Sequence, residues 1–149
     1  MTKNLDTSGI KLIVSNYELF FIDIWGVVHN GVHLFNDSIK VLNELENLNK
    51  EYVLLTNAPR PNFSVRQFLE KMGMQKKISK RVYTSGQASL DYLITNFKDK
   101  KFYHIGPPRD FDLFNTFKKN KIDNISKSEY LICTGLFDNQ DQDLNFYKD

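Results

Sequence analysis

Apolar residues gather into short blocks of two kinds along the chain. In one kind they run almost unbroken, as in residues 17–24 (YELFFIDI), 51–56 (EYVLLT), 101–106 (KFYHIG) and 129–135 (EYLICTG). Such blocks predict strands, the first with apolar residues on both faces, as in a parallel sheet covered by helices. In the other kind they recur every three or four positions. Val41, Leu42, Leu45 and Leu48 form one such stripe, with Asp37 placed to cap it. Val65, Phe68, Leu69 and Met72 form a second, stopped at Gly73. Leu90, Leu93, Ile94 and Phe97 form a third, entered from RVYTSG, and Phe111, Phe114 and Phe117 a fourth. A short helix is also expected from Ser8 to Val14, ending near Asn16. Prolines 59, 61, 107 and 108 and the Asn30-Gly31 pair punctuate the blocks. Alternation of strand and helix predicts an α/β fold with a mainly parallel sheet.

Composition narrows the picture without naming a ligand. At 149 residues the chain has the size of one ordinary domain, able to bury roughly two-thirds of its unfolded surface. Twenty basic against eighteen acidic residues leave +2, so net charge points to no partner. The densest basic cluster, KKISKR at 76–81, reads as a solvated rim beside a helix end, and the Phe111 stripe as core. Nucleic acid is therefore not an expected partner. One cysteine, Cys133, excludes an internal disulfide and a multi-cysteine zinc site; its place in EYLICTG predicts a buried strand residue. No apolar run approaches the ~18 residues of a membrane span, and no secretory signal is legible at the N-terminus. A cytoplasmic protein with no membrane partner is expected, of unknown oligomeric state.

Candidate chemistry sits at two strand ends. Asp23 closes the first strand and Thr56-Asn57 the second. Ligands in open α/β sheets bind beyond the carboxyl ends of strands, and consecutive strands are usually neighbours, so these groups are expected on one rim. A carboxylate beside a hydroxyl, amides and the small residue Gly26 suits covalent phosphoryl transfer. The alternative makes Asp23 a turn former and Thr56 a plain strand end. Other motifs carry less. His29 and His33 are four apart, but Asn30-Gly31 breaks any helix between them, so they read as flap-loop residues rather than a metal pair. His104 reads as a satisfied core histidine. DNQDQD at 138–143 lacks calcium-loop spacing and reads as a solvated loop, and Gly106-Pro107-Pro108 is no phosphate loop.

Five stretches in order give a resemblance that covers nearly the whole chain. FFIDIWGVVHNG resembles the first motif of the haloacid dehalogenase (HAD) superfamily, an apolar strand ending in Asp-x-Asp-Gly. YVLLTNAPRP resembles its second motif, a strand ending in Thr-Asn. VYTSGQASLDYL, FYHIGPPRD and YLICTGLFDN look like stretches that lead into and along the cap of subclass IIA, the NagD-like phosphatases. The resemblance implies a Rossmann-like parallel sheet core, in residues 1–97 with the lead-in to the cap, and the first part of a C2-type α/β cap in residues 98–149. It implies Asp23 as nucleophile and Mg²⁺ ligand, the Trp25 main-chain carbonyl as a second metal ligand, and Thr56, Asn57 and Gly26 around the phosphate. Arg60 reads as a surface loop charge. The expected function is Mg²⁺-dependent hydrolysis of a small phosphorylated metabolite through an aspartyl phosphate.

Two departures qualify that expectation. Trp25 stands where the family has its second aspartate, the group that protonates the leaving oxygen and activates water. An indole cannot do this, and general acid–base help is worth roughly 10²–10⁴-fold. The family's third and fourth motifs, a lysine and the remaining metal-binding acids, are not found, so the 149 residues look like an N-terminal half ending inside the cap. The competing expectation is a non-catalytic or truncated relative that binds a phosphorylated ligand or partner without turnover.

Overall fold

The structure, a computed structural model, describes residues 5, 9–138 and 144–148. It forms two compact units, one of Met1–Thr56 with Arg66–Tyr83 and the other of Asn57–Val65 with Thr84–Asp149.

In the first unit, β1 (Leu19–Asp23), β2 (Glu51–Thr56) and β3 (Val82–Thr84, whose last residue belongs to the second unit) lie in the order β1-β2-β3. β1 and β2 are parallel, with Leu19 opposite Glu51 and Asp23 opposite Leu55. The crossover between them is α1 (Asn36–Asn47), which buries Leu42 and Leu45. With Tyr52, Leu54, Leu69 and Ile78 these residues make the unit's core. Arg81 closes one side of it. It binds Glu46 at 2.9 Å and Glu51 at 2.7 Å, and its guanidinium lies 4.6 Å from the centre of the Tyr52 ring. α2 (Asn62–Lys71, of which Arg66–Lys71 belong to this unit) ends as its sequence predicts. Met74 N–H reaches Leu69 O and Gly73 N–H reaches Glu70 O, with Gly73 at φ +98°. The same closure ends α1, but there Asn49 takes the left-handed position at φ +54°. α3 (Lys76–Ser79) follows as a single turn.

Three expectations are corrected in this unit. Asp37 does not cap α1. Phe35 is the cap residue, without a side-chain bond, and Asp37 lies inside the first turn, paired to Lys40 at 2.8 Å. The expected N-terminal helix is two 3-10 turns, Gly9–Leu12 and Val14–Asn16, with Ser8 outside the described residues. β1 is not covered on both faces. It is an edge strand of its sheet, and Phe21 and Leu19 remain 66% and 48% exposed because the described residues place nothing over them.

In the second unit, α4 (Ser85–Phe97) packs Leu90 against Phe102, Leu113, Phe114 and Phe117. β4 (Phe102–Ile105) pairs in parallel with β5 (Tyr130–Cys133), Phe102 opposite Tyr130. The phenylalanine stripe is carried by a 3-10 helix, Pro108–Phe114, and the turn after it rather than by an α-helix. A repeat of three is the 3-10 period, and Pro107 and Pro108 withhold two amide donors at its start. Phe114 and Phe117 are buried, whereas Phe111 is 45% exposed and belongs to no core stripe. Cys133 is exposed, which corrects the expectation of a buried thiol: β5 alternates, and Tyr130 and Ile132 take its inner positions. Most of DNQDQD lies outside the described residues. The α/β class and the parallel pairing stand as read from the pattern.

Candidate active site

β1 stops at Asp23 because its carboxylate turns back on the chain: Oδ1 accepts the Ile24 N–H at 2.8 Å. Oδ2 takes no hydrogen bond among the described residues. The register that sets Asp23 opposite Leu55 brings Thr56, the last residue of β2, to the neighbouring strand end. Asn57 follows it directly and is exposed.

The loop after Asp23 is fixed by its own backbone. Ile24 and Val28 are buried anchors. Val27 and Val28 donate to Ile24 O at 3.4 and 2.8 Å, and Gly26 donates to His29 O at 2.9 Å. Gly26 is required for its conformation, φ +75°, since a Cβ there would meet nothing within 4 Å. Its amide is therefore committed inside the loop. Among residues 24–28 only the Trp25 N–H has no partner within the described residues, which makes it the amide open to an anion beside Asp23.

The Trp25 ring is held at one edge and open elsewhere. It meets the His29 ring edge-on at 5.3 Å, and a Cβ on Gly31 would lie 2.8 Å from its far carbon, so Gly31 (φ +91°) gives it room. The indole nevertheless stays 64% exposed. His29 lies in the loop between β1 and α1, and there it is buried against Trp25 and Phe68, the latter at 5.6 Å. Its Nδ1 accepts the Gly31 N–H at 2.8 Å, which places the ring proton on Nε2, and burial lowers its pKa. His33 is exposed, with Asn30 Nδ2 at 3.4 Å from its Nε2. Beside β1 a cavity of about 510 Å³ is lined by Phe21, Val27, Val41 and other apolar groups, with Asp23, Asp37 and Ser38 as its polar members. Asp37 lies fully in solvent, and its hydrogen bond and charge contact with Lys40 lower its pKa.

In the second unit the segment after Thr56 is bound to the start of α4. Thr84 Oγ1 accepts the Gln87 N–H at 2.8 Å and donates to Arg60 O at 2.5 Å, while Gly86 N–H reaches Ala58 O at 3.1 Å. A Cβ on Gly86 would stand 2.3 Å from Arg60 N, so only glycine fits. Arg60 is more than a surface charge: its Nε lies 3.9 Å from Oδ1 of the buried Asp110. Neither Asp110 nor Gly86 was singled out in the sequence, although Thr84-x-x-Gln87 carries the spacing of a capping box. His104 is buried as expected, with Thr134 Oγ1 at 2.8 Å from its Nε2. Asn57, Ser85, Ser89 and Thr134 supply polar lining to a cavity of about 350 Å³ in this unit.

A magnesium ion needs several oxygen ligands. At this rim the described residues offer the Asp23 carboxylate and the Trp25 carbonyl, and no three acidic, histidine or cysteine side chains among the described residues come together to hold a metal. The donor set does not fit a complete Mg²⁺ centre. No helix among the described residues is long and apolar enough to cross a membrane.

Comparison with known proteins agrees with this architecture. The family described as haloacid dehalogenase-like hydrolase matches residues 20–118. A haloacid dehalogenase-like hydrolase from Brucella suis 1330 is 28% identical with a TM-score of 0.73, over 93% of this chain and 48% of that one. A 4-nitrophenylphosphatase from Thermotoga maritima (22% identity, TM-score 0.61, 78% of this chain and 44% of that) shares the fold. So does NagD from E. coli K-12 (20% identity, TM-score 0.57, 78% of this chain and 45% of that). The chain thus spans about half the length of these structures. No curated protein matches it. With two motif-bearing strands in parallel register and a family match across most of its length, the chain belongs to the haloacid dehalogenase-like hydrolases.

Proposed function

We propose that this chain carries the nucleophilic half of a phosphatase acting on a small phosphorylated metabolite in the cytoplasm, with Asp23 as the attacking group. The observation that carries the reading is the register of β1 and β2, which puts Asp23 and Thr56 at adjacent carboxyl ends. Asp23 Oδ2 has no partner among the described residues, while Oδ1 is held by the Ile24 N–H. The Trp25 N–H and the side chains of Thr56 and Asn57 are the donors proposed for the phosphate oxygens, in the manner of an oxyanion site. Gly26 serves this arrangement through its φ rather than through its amide. Residues 98–149 are read as the first part of a C2-type cap. Relatives named as nitrophenylphosphatases support a phosphate ester as substrate. Any Mg²⁺ brought by the reaction would need ligands beyond the two offered at this rim.

The second reading, binding of a phosphorylated ligand without turnover, is favoured by Trp25 in the acid's place. Phosphate release from a panel of sugar, nucleotide and aryl phosphates, at fixed Mg²⁺, separates the two. Hydrolysis by the wild type that falls at least about 100-fold in Asp23→Asn supports the phosphatase. Saturable binding of the same esters with no release in either protein supports the second reading.

A further inference from the structure

Six of the chain's twenty basic residues fall in two short runs, Lys98-Asp99-Lys100-Lys101 and Lys118-Lys119-Asn120-Lys121, which the sequence separates and the second unit joins. The joint is one side chain. Asn120 is buried, and its Nδ2 donates to Lys98 O at 2.6 Å and to Lys100 O at 3.1 Å. Lys121 then bridges in parallel to Phe102, and Ile122 N–H reaches Phe102 O at 2.9 Å. The first run leads from α4 into β4, and the second is a 3-10 turn, Lys118–Asn120, with the residue after it. All six lysines therefore gather at the amino end of the β4–β5 pair. Cys133 and Thr134, which line the cavity of this unit, stand at its carboxyl end, so the cluster is apart from that cavity.

Little in the unit neutralises this cluster. Lys121 pairs with Asp123 at 3.1 Å and lies 5.6 Å from the centre of the Phe111 ring. Lys98, Lys100, Lys101, Lys118 and Lys119 are exposed and make no ion pair among the described residues. Of the acids in these segments, Asp99 is exposed, and Glu129 Oε2 accepts the Lys101 N–H at 2.8 Å. Aromatic rings adjoin the lysines. Lys100 Nζ stands 5.4 Å from the centre of Phe97, which meets Tyr130 at 5.0 Å and Tyr92 at 6.0 Å. Tyr92, at the end of that row, is 61% exposed. From this arrangement we propose that the amino end of the β4–β5 pair binds single-stranded nucleic acid, with the lysines on successive phosphates and Tyr92 stacked on a base. A basic track beside aromatic rings is the combination that holds single strands without sequence preference. A duplex keeps its bases stacked inside and leaves Tyr92 without a partner, and an anionic membrane uses the charge alone. Nucleic acid is not expected from the sequence, where the basic run at 76–81 is one segment; this cluster forms only when two segments meet. The proposal is independent of Asp23 and of the phosphatase reading.

The test is fluorescence anisotropy of labelled oligouridylate titrated with the chain between about 50 and 200 mM salt. The expected result is saturable binding whose logarithm falls with log salt at a slope of about −3, as for roughly four phosphates neutralised on a single strand. Lys100→Glu combined with Lys118→Glu should weaken binding at least about tenfold. Tyr92→Ala should weaken it at least about fivefold, the loss of one stacked base. Lys76→Glu combined with Lys77→Glu makes the same charge change on α3 and should leave binding within about twofold. Circular dichroism checks that each variant folds. Equal losses in the two double variants overturn the proposal, because net charge then suffices. So does binding that Tyr92→Ala leaves unchanged, or a labelled duplex that binds as well as the single strand. Capture by phosphatidylglycerol vesicles without oligouridylate binding overturns it in favour of a membrane surface, and no oligouridylate binding at the lowest salt overturns it outright.

Discussion

Gly86 leaves no space for a methyl group, because the backbone of Arg60 lies where a Cβ would go. Gly86→Ala is expected to destabilise the chain by about 1–3 kcal/mol, the usual cost of overpacking, read as a lower urea midpoint with unchanged slope. The pH dependence of stability has a residue-level source in His104. Burial lowers its pKa, helped by the charge of Lys121 and opposed by Asp110. The unfolded chain then binds more protons than the folded one around the ordinary histidine value of about 6.5. Stability should be full above that value and should fall as pH drops through it. Urea midpoints at several pH values between 7.5 and 5 check this, and His104→Gln should make the profile shallower, the remainder coming from His29, whose pKa burial also lowers. At this scale the strand-end places of Asp23 and Thr56 and the burial of His104 are legible, because each stands at a marked place in a hydrophobic block. Gly86 and Asp110 are not, since a close backbone approach and a buried carboxylate depend on which segments meet. The exposure of Cys133 was hidden for the same reason.

Helix ends decide much of the element scale. α1 and α2 close with the same pair of backbone bonds, but one uses Asn49 and the other Gly73. Asn49→Ala should cost about 1–2 kcal/mol, the penalty for an ordinary residue in the left-handed region. Asn49→Gly should be neutral or mildly stabilising, and thermal melts of the two variants give the order. Gly73 is legible as a stop because glycine is the common signal; Asn49 is not, because asparagine is equally at home in loops. The Asp37 cap failed for a related reason, since a helix can begin on backbone geometry alone. Period mattered most in the phenylalanine stripe. A spacing of three fits an α-helix loosely and a 3-10 helix well, and the two prolines ahead of it tip the choice. The strands are clear from their blocks, but β3 is only three residues long, too short for its pattern to mark more than the lead-in to a helix.

Across the whole molecule, pattern and motif order led to the class and the family, while the covering of β1 depended on partners that pattern cannot supply. Phe21 shows the consequence, an apolar side chain at the middle of an edge strand, 66% exposed. The metal site is the other question at this scale. With one carboxylate at the Asp23 rim and no cluster of metal-binding side chains among the described residues, millimolar Mg²⁺ is expected to leave the melting temperature of this chain unchanged. A clear upward shift would show ligands unaccounted for. The group proposed to bond to phosphorus is Asp23. This is tested most directly by mixing the chain with 4-nitrophenyl phosphate, quenching in acid and mapping phosphate by peptide mass spectrometry. The expected result is a hydroxylamine-sensitive phosphate on the peptide containing Asp23 and none in Asp23→Asn. Nitrophenol release with no adduct on that peptide, or with undiminished rate in Asp23→Asn, would contradict it.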